Sequence, residues 1–399
     1  AGTRLWATYY GGTGADYLFS VATDGFENVY LAGWTTSPNN IASGGFQNTI
    51  GSGGDDAFLV KFNAAGTRLW ATYYGGTAGE MGQSVATDAA GNVYLAGYTQ
   101  STTSIASGGF QNVLIGSSAA FLVKFNSAGI RLWATYYGGL GWEDHLCVAT
   151  DVFKNVYLAG ETTSYTNIAS GGFQNTYGGN NGGSSFIDAF LVKFDAAGNR
   201  LWATYYGGTD QEEVYPDALA TDASGNVYLA GDTYSPGFGL ASGGFQNSLA
   251  GTENVFVAKF DSSGSRICAT YFGQEHQEEG HAAVDNSGNV YVGGYTAGPI
   301  STSIASGGFQ NTFGGGLFDA YLVKFSSCFN ILNTTATSTN ILCNGQCTGT
   351  AAATAAGGSP SYTYSWSPSG GSRSSATGLC AGTYTVTVID AANSTTTAT

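Results

Sequence analysis

Arg4-Leu-Trp-Ala-Thr-Tyr-Tyr-Gly-Gly12 is written again from Arg68, Arg131 and Arg200, and it returns altered as Arg266-Ile-Cys-Ala-Thr-Tyr-Phe-Gly273. The copies lie 64, 63, 69 and 66 residues apart. A period of that length predicts stacked supersecondary units that share a core. Three further segments recur between the copies. In the first unit Ser20-Val-Ala-Thr23 (segment A) passes through Asp24-Gly-Phe-Glu-Asn28 into Val29-Tyr-Leu-Ala-Gly33 (segment B). A connection containing Ile41-Ala-Ser-Gly-Gly-Phe-Gln-Asn48 leads to Ala57-Phe-Leu-Val-Lys-Phe62 (segment C), and Leu69-Trp-Ala-Thr-Tyr-Tyr74 is segment D. Short β-branched and aromatic runs bounded by Gly, Asn and Asp read as strands and hairpins.

Both side-chain phases of B and C are largely apolar, as in sheets covered on two faces. The small residues of A suit the crowded innermost strand of a propeller. The array opens with a D segment at Leu5 and ends with a C segment at Tyr321-Leu-Val-Lys-Phe325. The expectation is an all-β chain whose residues 1–325 form a five-bladed β-propeller, closed by the N-terminal strand Leu5–Tyr10 as the outer strand of the last blade. Across the C–D hairpin, Lys61 is expected to cover the ring of Trp70.

Composition changes near residue 326. Residues 326–342 read as a Ser/Thr-rich linker, and 343–399 as a small disulfide-containing β-sandwich (Ig-like) module. Strands are expected there at 350–355, 361–366 and 382–388. Cys268, Cys328, Cys343, Cys347 and Cys380 are the disulfide candidates, with the pairing left open. Over all 399 residues only 10% are charged, against about a quarter in ordinary domains, and the net charge is −15. That balance argues against a nucleic-acid partner, because an acidic chain without a basic stripe repels phosphate backbones. No run is long and apolar enough for a bilayer-spanning helix.

The units resemble the bacterial SBBP-type β-propeller repeat in three segments: Thr87-Asp-Ala-Ala-Gly-Asn-Val-Tyr-Leu-Ala-Gly97, Ile105-Ala-Ser-Gly-Gly-Phe-Gln-Asn112 and Phe190-Leu-Val-Lys-Phe-Asp-Ala-Ala-Gly198. Residues 343–391 resemble the module repeated in gliding-type surface adhesins of Bacteroidetes. That likeness is carried by Cys343-Asn-Gly-Gln-Cys347, Gly357-Gly-Ser-Pro-Ser-Tyr-Thr-Tyr-Ser-Trp366 and Gly378-Leu-Cys-Ala-Gly-Thr-Tyr-Thr-Val-Thr-Val-Ile-Asp390. Such modules imply an extracellular or outer-surface location and supply no catalytic residues.

Three recurring patterns are candidate sites. Asp24, Asp88, Asp151, Asp222 and Asp285 each precede an Asn by four residues; they could ligate calcium, although Asx turns explain the spacing more simply. The D–A connections carry acids, including Glu80, Glu143, Asp144 and His145, and end in Glu275, His276, Glu278 and His281. They predict an acidic face, with these last four as metal-ligand candidates. In the B–C inserts, Phe46, Gln47, Phe110, Gln111, Phe173, Gln174, Phe245, Gln246, Phe309 and Gln310 either fix the insert to its blade or grip a ligand. The functional expectation is a secreted or cell-surface, non-enzymatic structural or adhesion module with no required cofactor. Its partners would be other extracellular proteins, copies of itself or surface glycans. The alternative is a carbohydrate-active hydrolase or lyase using the acidic face, which needs convergent carboxylates in a concave pocket.

Overall fold

The computed structural model describes residues 2–179, 186–236, 239–274, 278–285, 288–297, 304–325, 332–339, 345–356, 361–390 and 395–399. The chain divides into two compact units, Ala1–Phe325 and Ser326–Thr399.

In the first unit, segments A to D become the four antiparallel strands of one sheet, in chain order. Sheet 1 is β1 (Asp16–Thr23), β2 (Val29–Thr35), β3 (Asp56–Phe62) and β4 (Arg68–Tyr74). Sheet 2 is β5 (Glu80–Thr87), β6 (Val93–Thr99), β7 (Ala119–Phe125) and β8 (Arg131–Tyr137). Sheet 3 is β9 (Glu143–Thr150), β10 (Val156–Thr162), β11 (Asp188–Phe194) and β12 (Arg200–Tyr206). In sheet 4 the first strand is split by a longer connection containing Pro216 into β13 (Glu212–Glu213) and β14 (Leu219–Thr221). Strands β15 (Val227–Thr233), β16 (Asn254–Phe260) and β17 (Arg266–Phe272) complete it. Sheet 5 has three strands, β18 (Glu278–Val284), β19 (Val290–Ala297) and β20 (Phe318–Phe325).

Successive sheets are held together by the same few side chains. Inner strands lie side by side, β1 with β5, β5 with β9, β9 with β14 and β14 with β18. Ser and Thr cross-link them: Thr87 Oγ1 donates to Thr23 O at 2.8 Å, Thr150 Oγ1 to Thr87 O at 2.7 Å and Thr221 Oγ1 to Thr150 O at 2.8 Å. On the outer strands, Trp70, Trp133 and Trp202 each donate from Nε1 to a carbonyl in the next sheet's C–D turn, Ser127, Ala196 and Ser262, at 3.0 Å. Lys61, Lys124 and Lys193 donate to those same three carbonyls. Each lysine thus spans two sheets. Its ammonium lies over Tyr30, Tyr94 or Tyr157, 5.0–5.3 Å from the ring centre. This corrects the expected cover of Trp70. The middle strands β3, β7 and β11 are buried at every residue.

The expected closed five-bladed propeller is not formed. Residues 2–10 make no strand, Leu5 and Tyr9 are 89% and 102% exposed, and β20 pairs with β19 alone among the described strands. The N-terminal copy of the D segment keeps instead the lateral contacts that D strands make with the sheet after them. Trp6 Nε1 donates to Ala64 O at 3.0 Å and Tyr10 Oη to Ile41 O, as Trp70 and Tyr74 do one repeat later. Those contacts seat it on sheet 1 and leave the edge of β20 open. Strand β20 accordingly alternates exposed and half-buried residues where β3 is wholly buried.

The second unit has two three-stranded antiparallel sheets. One is β21 (Asn333–Thr339), β22 (Gly349–Ala356) and β24 (Ser375–Leu379); the other is β23 (Thr363–Ser367), β25 (Thr385–Ile389) and β26 (Thr395–Ala398). Leu332, Ala351, Ala353, Trp366, Ala376, Leu379, Val386 and Val388 form a core drawn from both. Strand β21 lies inside the stretch expected to be a linker, so that expectation is corrected: its Thr residues pair along β22. Cys347 and Cys380 form a disulfide. Cys268, a disulfide candidate, is a buried thiol in β17, the outer strand of sheet 4, and joins no disulfide. Cys328 and Cys343 lie outside the described residues.

Candidate functional site

The A–B turn is built on its aspartate. Asp24 Oδ1 accepts from the backbone N of Phe26 and Asn28, and Oδ2 accepts from Asn28 Nδ2 at 2.8 Å and Tyr30 Oη at 3.0 Å. Lys61 Nζ stands 3.9 Å away. Burial opposes ionisation of Asp24, yet the hydrogen bonds from Asn28, Phe26 and Tyr30 hold its carboxyl below the usual range. Asp88, Asp151, Asp222 and Asp285 take the same Asn and Tyr donors. These oxygens are occupied by the hairpin itself.

The B–C insert is likewise consumed locally. Gln47 N donates to Thr72 Oγ1 at 2.7 Å, and its Nε2 donates to Thr49 O and Asp56 Oδ2, both at 3.0 Å. Gln111, Gln174 and Gln246 bond to the matching threonines, Thr135, Thr204 and Thr270, and Gln310 Nε2 donates to Thr312 O. Phe46, Phe110 and Phe173 lie under the guanidinium groups of Arg131, Arg200 and Arg266, each 4.3 Å from the ring centre. Phe245 packs against Phe325, while Phe309 is 106% exposed.

The D–A acids do not make one solvated face. Glu80, Glu143 and Glu212 are wholly buried between sheets. Glu275 and His276 lie outside the described residues, and Glu278 is placed by its backbone at the start of β18. His281 is exposed on β18, its ring 5.5 Å from that of Tyr215.

One cross-strand position escapes the repetition. Segment B reads Val-Tyr-Leu-Ala-Gly-x-Thr in four units and Val-Tyr-Val-Gly-Gly-Tyr-Thr in the fifth, where x is Trp34, Tyr98, Glu161 and Asp232 and the fifth residue is Tyr295. Each sits opposite an equally variable residue on the innermost strand, ahead of segment A: Tyr17↔Trp34, Met81↔Tyr98, Asp144↔Glu161, Glu213↔Asp232 and Glu279↔Tyr295. Five identical scaffolds thus present a row that runs from aromatic to acidic. Aligning the five units by their Val-Tyr-Leu-Ala segments would have exposed it in the sequence.

At the aromatic end Tyr17 and Trp34 stack with ring centres 4.6 Å apart and 15° between planes, and Tyr17 is 54% exposed. Beside them a groove of about 410 Å³ is lined by Gly53, Asp55, Ala78, Gly79, Met81, Tyr98 and Gln100. At the acidic end the row is cross-linked between sheets. His145 Nδ1 lies 2.9 Å from Glu161 Oε2, Glu161 Oε1 accepts from Val214 N at 2.9 Å, and Asp144 Oδ1 accepts from Gln83 Nε2 at 2.6 Å. The hydrogen bond to Glu161 raises the His145 imidazole to about 8, against the opposing effect of burial. His145 also holds a left-handed backbone (φ 50), an uncommon conformation for a residue with a side chain.

A model of the SBBP beta-propeller repeat matches residues 5–42, 69–103 and 201–239, and a model of the SprB repeat matches residues 335–371. An uncharacterized WD repeat-containing protein of Acanthamoeba polyphaga mimivirus is 26% identical over 404 residues, covering 83% of this chain and 28% of that protein. The regulatory protein FlaEY of Caulobacter vibrioides is 25% identical over 300 residues, covering 71% of this chain and 30% of that one. The chain therefore spans less than a third of either relative's length. Among solved structures, a protein of unknown function from Dyadobacter fermentans aligns at TM-score 0.42 and 9% identity, over 72% of this chain and 77% of that one. An ulvan lyase of polysaccharide lyase family PL25 aligns at 0.38 and 9%, over 84% and 75%. The Synechocystis apocarotenoid oxygenase aligns at 0.32 and 8%, over 98% and 82%. Two of these three are enzymes; likenesses this distant carry no argument about activity in either direction, and the expectation of a non-enzymatic module is not carried forward. What the repeats and the family models establish together is that this chain carries an SBBP-type β-propeller repeat region followed by a SprB repeat.

Proposed function

We propose that the chain belongs to a secreted or outer-surface protein, and that its repeat region binds a glycan through the non-repeating row. The observation that carries this reading is the row itself. Strand geometry, turn chemistry and sheet-to-sheet contacts recur nearly unchanged from unit to unit, whereas the five A–B pairs differ, and an invariant scaffold has no structural need of that variation. The aromatic end has the chemistry of a sugar platform: stacked Tyr17 and Trp34, then the Tyr98 groove with a carboxylate and an amide on its walls. The SprB repeat supports the proposed location. No helix among the described residues is long and apolar enough to cross a membrane.

The test is a panel of immobilised polysaccharides probed with the whole chain and with Trp34→Ala and Tyr98→Ala. Retention on at least one polysaccharide is expected, weakened tenfold or more by either substitution while the melting temperature stays within a few degrees. Binding that ignores both substitutions, or no binding across the panel, overturns the reading. The His145–Glu161 pair favours a second reading, in which the bound polysaccharide is also cleaved: a half-exposed imidazole, protonated at neutral pH, stands beside a buried carboxyl. Release of shortened chains by the native protein and its loss in His145→Ala would support that reading.

A further inference from the structure

At the first three junctions between successive sheets, the acid at the head of the strand carrying segment A is buried against the residue at the head of the preceding segment C strand. Glu80 meets Asp56, Glu143 meets Ala119, and Glu212 meets Asp188. All five acids are 0% exposed. A β-carbon on Gly75 would stand 2.5 Å from Asp56 Oδ1 and 2.6 Å from Glu80 Oε2, so the two carboxyls converge to within about 5 Å. Around Gly207 the corresponding distances are 2.5 Å to Asp188 Oδ1 and 2.7 Å to Glu212 Oε2.

The hydrogen bonds are distributed unequally within each pair. Glu80 accepts from Gly76 N at 2.8 Å and Thr99 Oγ1 at 2.7 Å, and Glu212 from Gly208 N and Thr233 Oγ1 at the same distances. Asp56 Oδ2 accepts from Gln47 Nε2 at 3.0 Å and Gly51 N at 2.8 Å, and Asp188 Oδ2 from Gly178 N at 2.7 Å. Asp56 Oδ1 and Asp188 Oδ1 are buried with no hydrogen-bond partner among the described residues. Asp55, Tyr73, Tyr74 and Tyr136 are the titratable groups around the first pair, and Tyr177, Tyr205, Tyr206 and Tyr271 around the second. The nearby cations Arg131 and Arg266 are engaged with Tyr74 and Tyr206, over the rings of Phe46 and Phe173. Two carboxylates this close, fully buried and with no free cation beside them among the described residues, do not both ionise.

The fourth sheet shows which hydrogen is missing. Asn254 occupies the place of Asp56 and Asp188 at the head of segment C. Its Oδ1 accepts from Gln246 Nε2 at 3.0 Å and Ala250 N at 2.7 Å, just as Asp56 Oδ2 accepts from Gln47 and Gly51. Its Nδ2, the counterpart of Asp56 Oδ1, donates to backbone carbonyls at Glu253 O (2.6 Å), Ala250 O (2.8 Å) and Gln274 O (3.2 Å). One unit therefore has a permanent hydrogen where two others have a bare carboxyl oxygen.

We propose that Asp56–Glu80 and Asp188–Glu212 are proton-sharing pairs that make the junctions between sheets 1 and 2 and between sheets 3 and 4 proton-dependent clamps. Each pair holds one proton in the closed junction and repels when it is lost. Burial drives Asp56 up to about 6, Asp188 to about 7 and Glu212 to about 8, with Glu80 moved the same way. These values lie above those of the unfolded chain, so folding takes up protons. The stability they confer is complete below the ordinary carboxylate range, and it is lost as pH rises through about 6 at the first junction and about 7 to 8 at the second. Glu143, facing Ala119, is raised to about 7 by burial and adds to the same trend.

Thermal and urea unfolding of the whole chain between pH 5 and 9 tests this. Native stability should fall from pH 6 to 8.5, by up to tenfold in the folding constant per pH unit for each proton lost. Asp56→Asn with Asp188→Asn, which copies Asn254, should remove most of that slope and be the more stable form at pH 8.5. The infrared carbonyl band of protonated carboxyls, present in the native protein at pH 6, should weaken at pH 9 and be reduced in the variant. If the variant fails to fold, the native pH profile and this band still decide. Stability that is flat or rising with pH, a variant that keeps the native slope, or recovery at pH 8.5 on adding calcium overturns the proposal, the last by assigning the pairs to a cation.

Discussion

Trp70, Trp133 and Trp202 are placed by glycines one repeat later. Gly129, Gly198 and Gly264 sit in the C–D turns at φ 78°, 86° and 85°, and a β-carbon on any of them would stand 2.6–2.8 Å from the preceding repeat's tryptophan ring. Gly129→Ala therefore meets two obstacles, a left-handed backbone and an occupied volume. It should cost about 1–3 kcal/mol in urea unfolding. Gly25→Ala, with nothing within 4 Å of the new methyl group, should stay within about 0.5 kcal/mol of the native protein. Equal effects at the two sites would mean that the tryptophan seat does not hold the sheets together. The sequence announced these residues by repetition but not their partners. Lys61 is opposite both Trp70 and Tyr30 in register, and only the arrival of Ser127 O from the next sheet decides that its ammonium lies over the tyrosine. Contacts across a repeat boundary leave no local spacing to read.

Strands were the most legible elements, because alternating aromatic and β-branched runs between Gly and Asn turns have few other solutions. The exceptions are β21, β24 and β26, and β21 shows the reason most plainly. Its seven residues, Asn333-Thr-Thr-Ala-Thr-Ser-Thr339, carry no bulky apolar side chain, so composition reads as a linker while the β-branched threonines pair along β22. The candidate row was missed for the opposite reason. Attention to what recurs passes over a pair in each sheet that does not. In the second unit the small core leaves more of the stability to the Cys347–Cys380 bond, which closes a sequence separation of 33 residues. Replacing both cysteines with alanine should destabilise that unit by about 3–4 kcal/mol. Hydrogen exchange should then show faster amides in β22 to β25, with those of β5 to β12 unchanged. A loss of protection in both units would mean that the bond also supports the repeats.

Across the first unit, the five sheets form a series in which each makes its main contacts with the sheet before and the sheet after it. Stability in such an array is close to a sum of unit and neighbour terms, so the sheets with two neighbours are held best. Sheets 2 and 3 have the complete set of Trp, Lys and Thr bridges on both sides. Sheet 1 has the Trp6–Tyr10 segment on one side, and sheet 5 presents β20 as an open edge with Phe318 and Leu322 at 54% and 75% exposure. Backbone amides should therefore exchange slowest in β7 and β11 and fastest in β20, with β3 between them, when the whole chain is followed by mass-resolved hydrogen exchange. An added strand on β20 would remove the gradient by giving sheet 5 the fourth strand that the other sheets have. Uniform protection from β3 to β20 would thus show that the edge is covered in solution. A gradient that steepens between pH 6 and 8.5, first at the junction of sheets 1 and 2, would place the proton-dependent step where Asp56 meets Glu80.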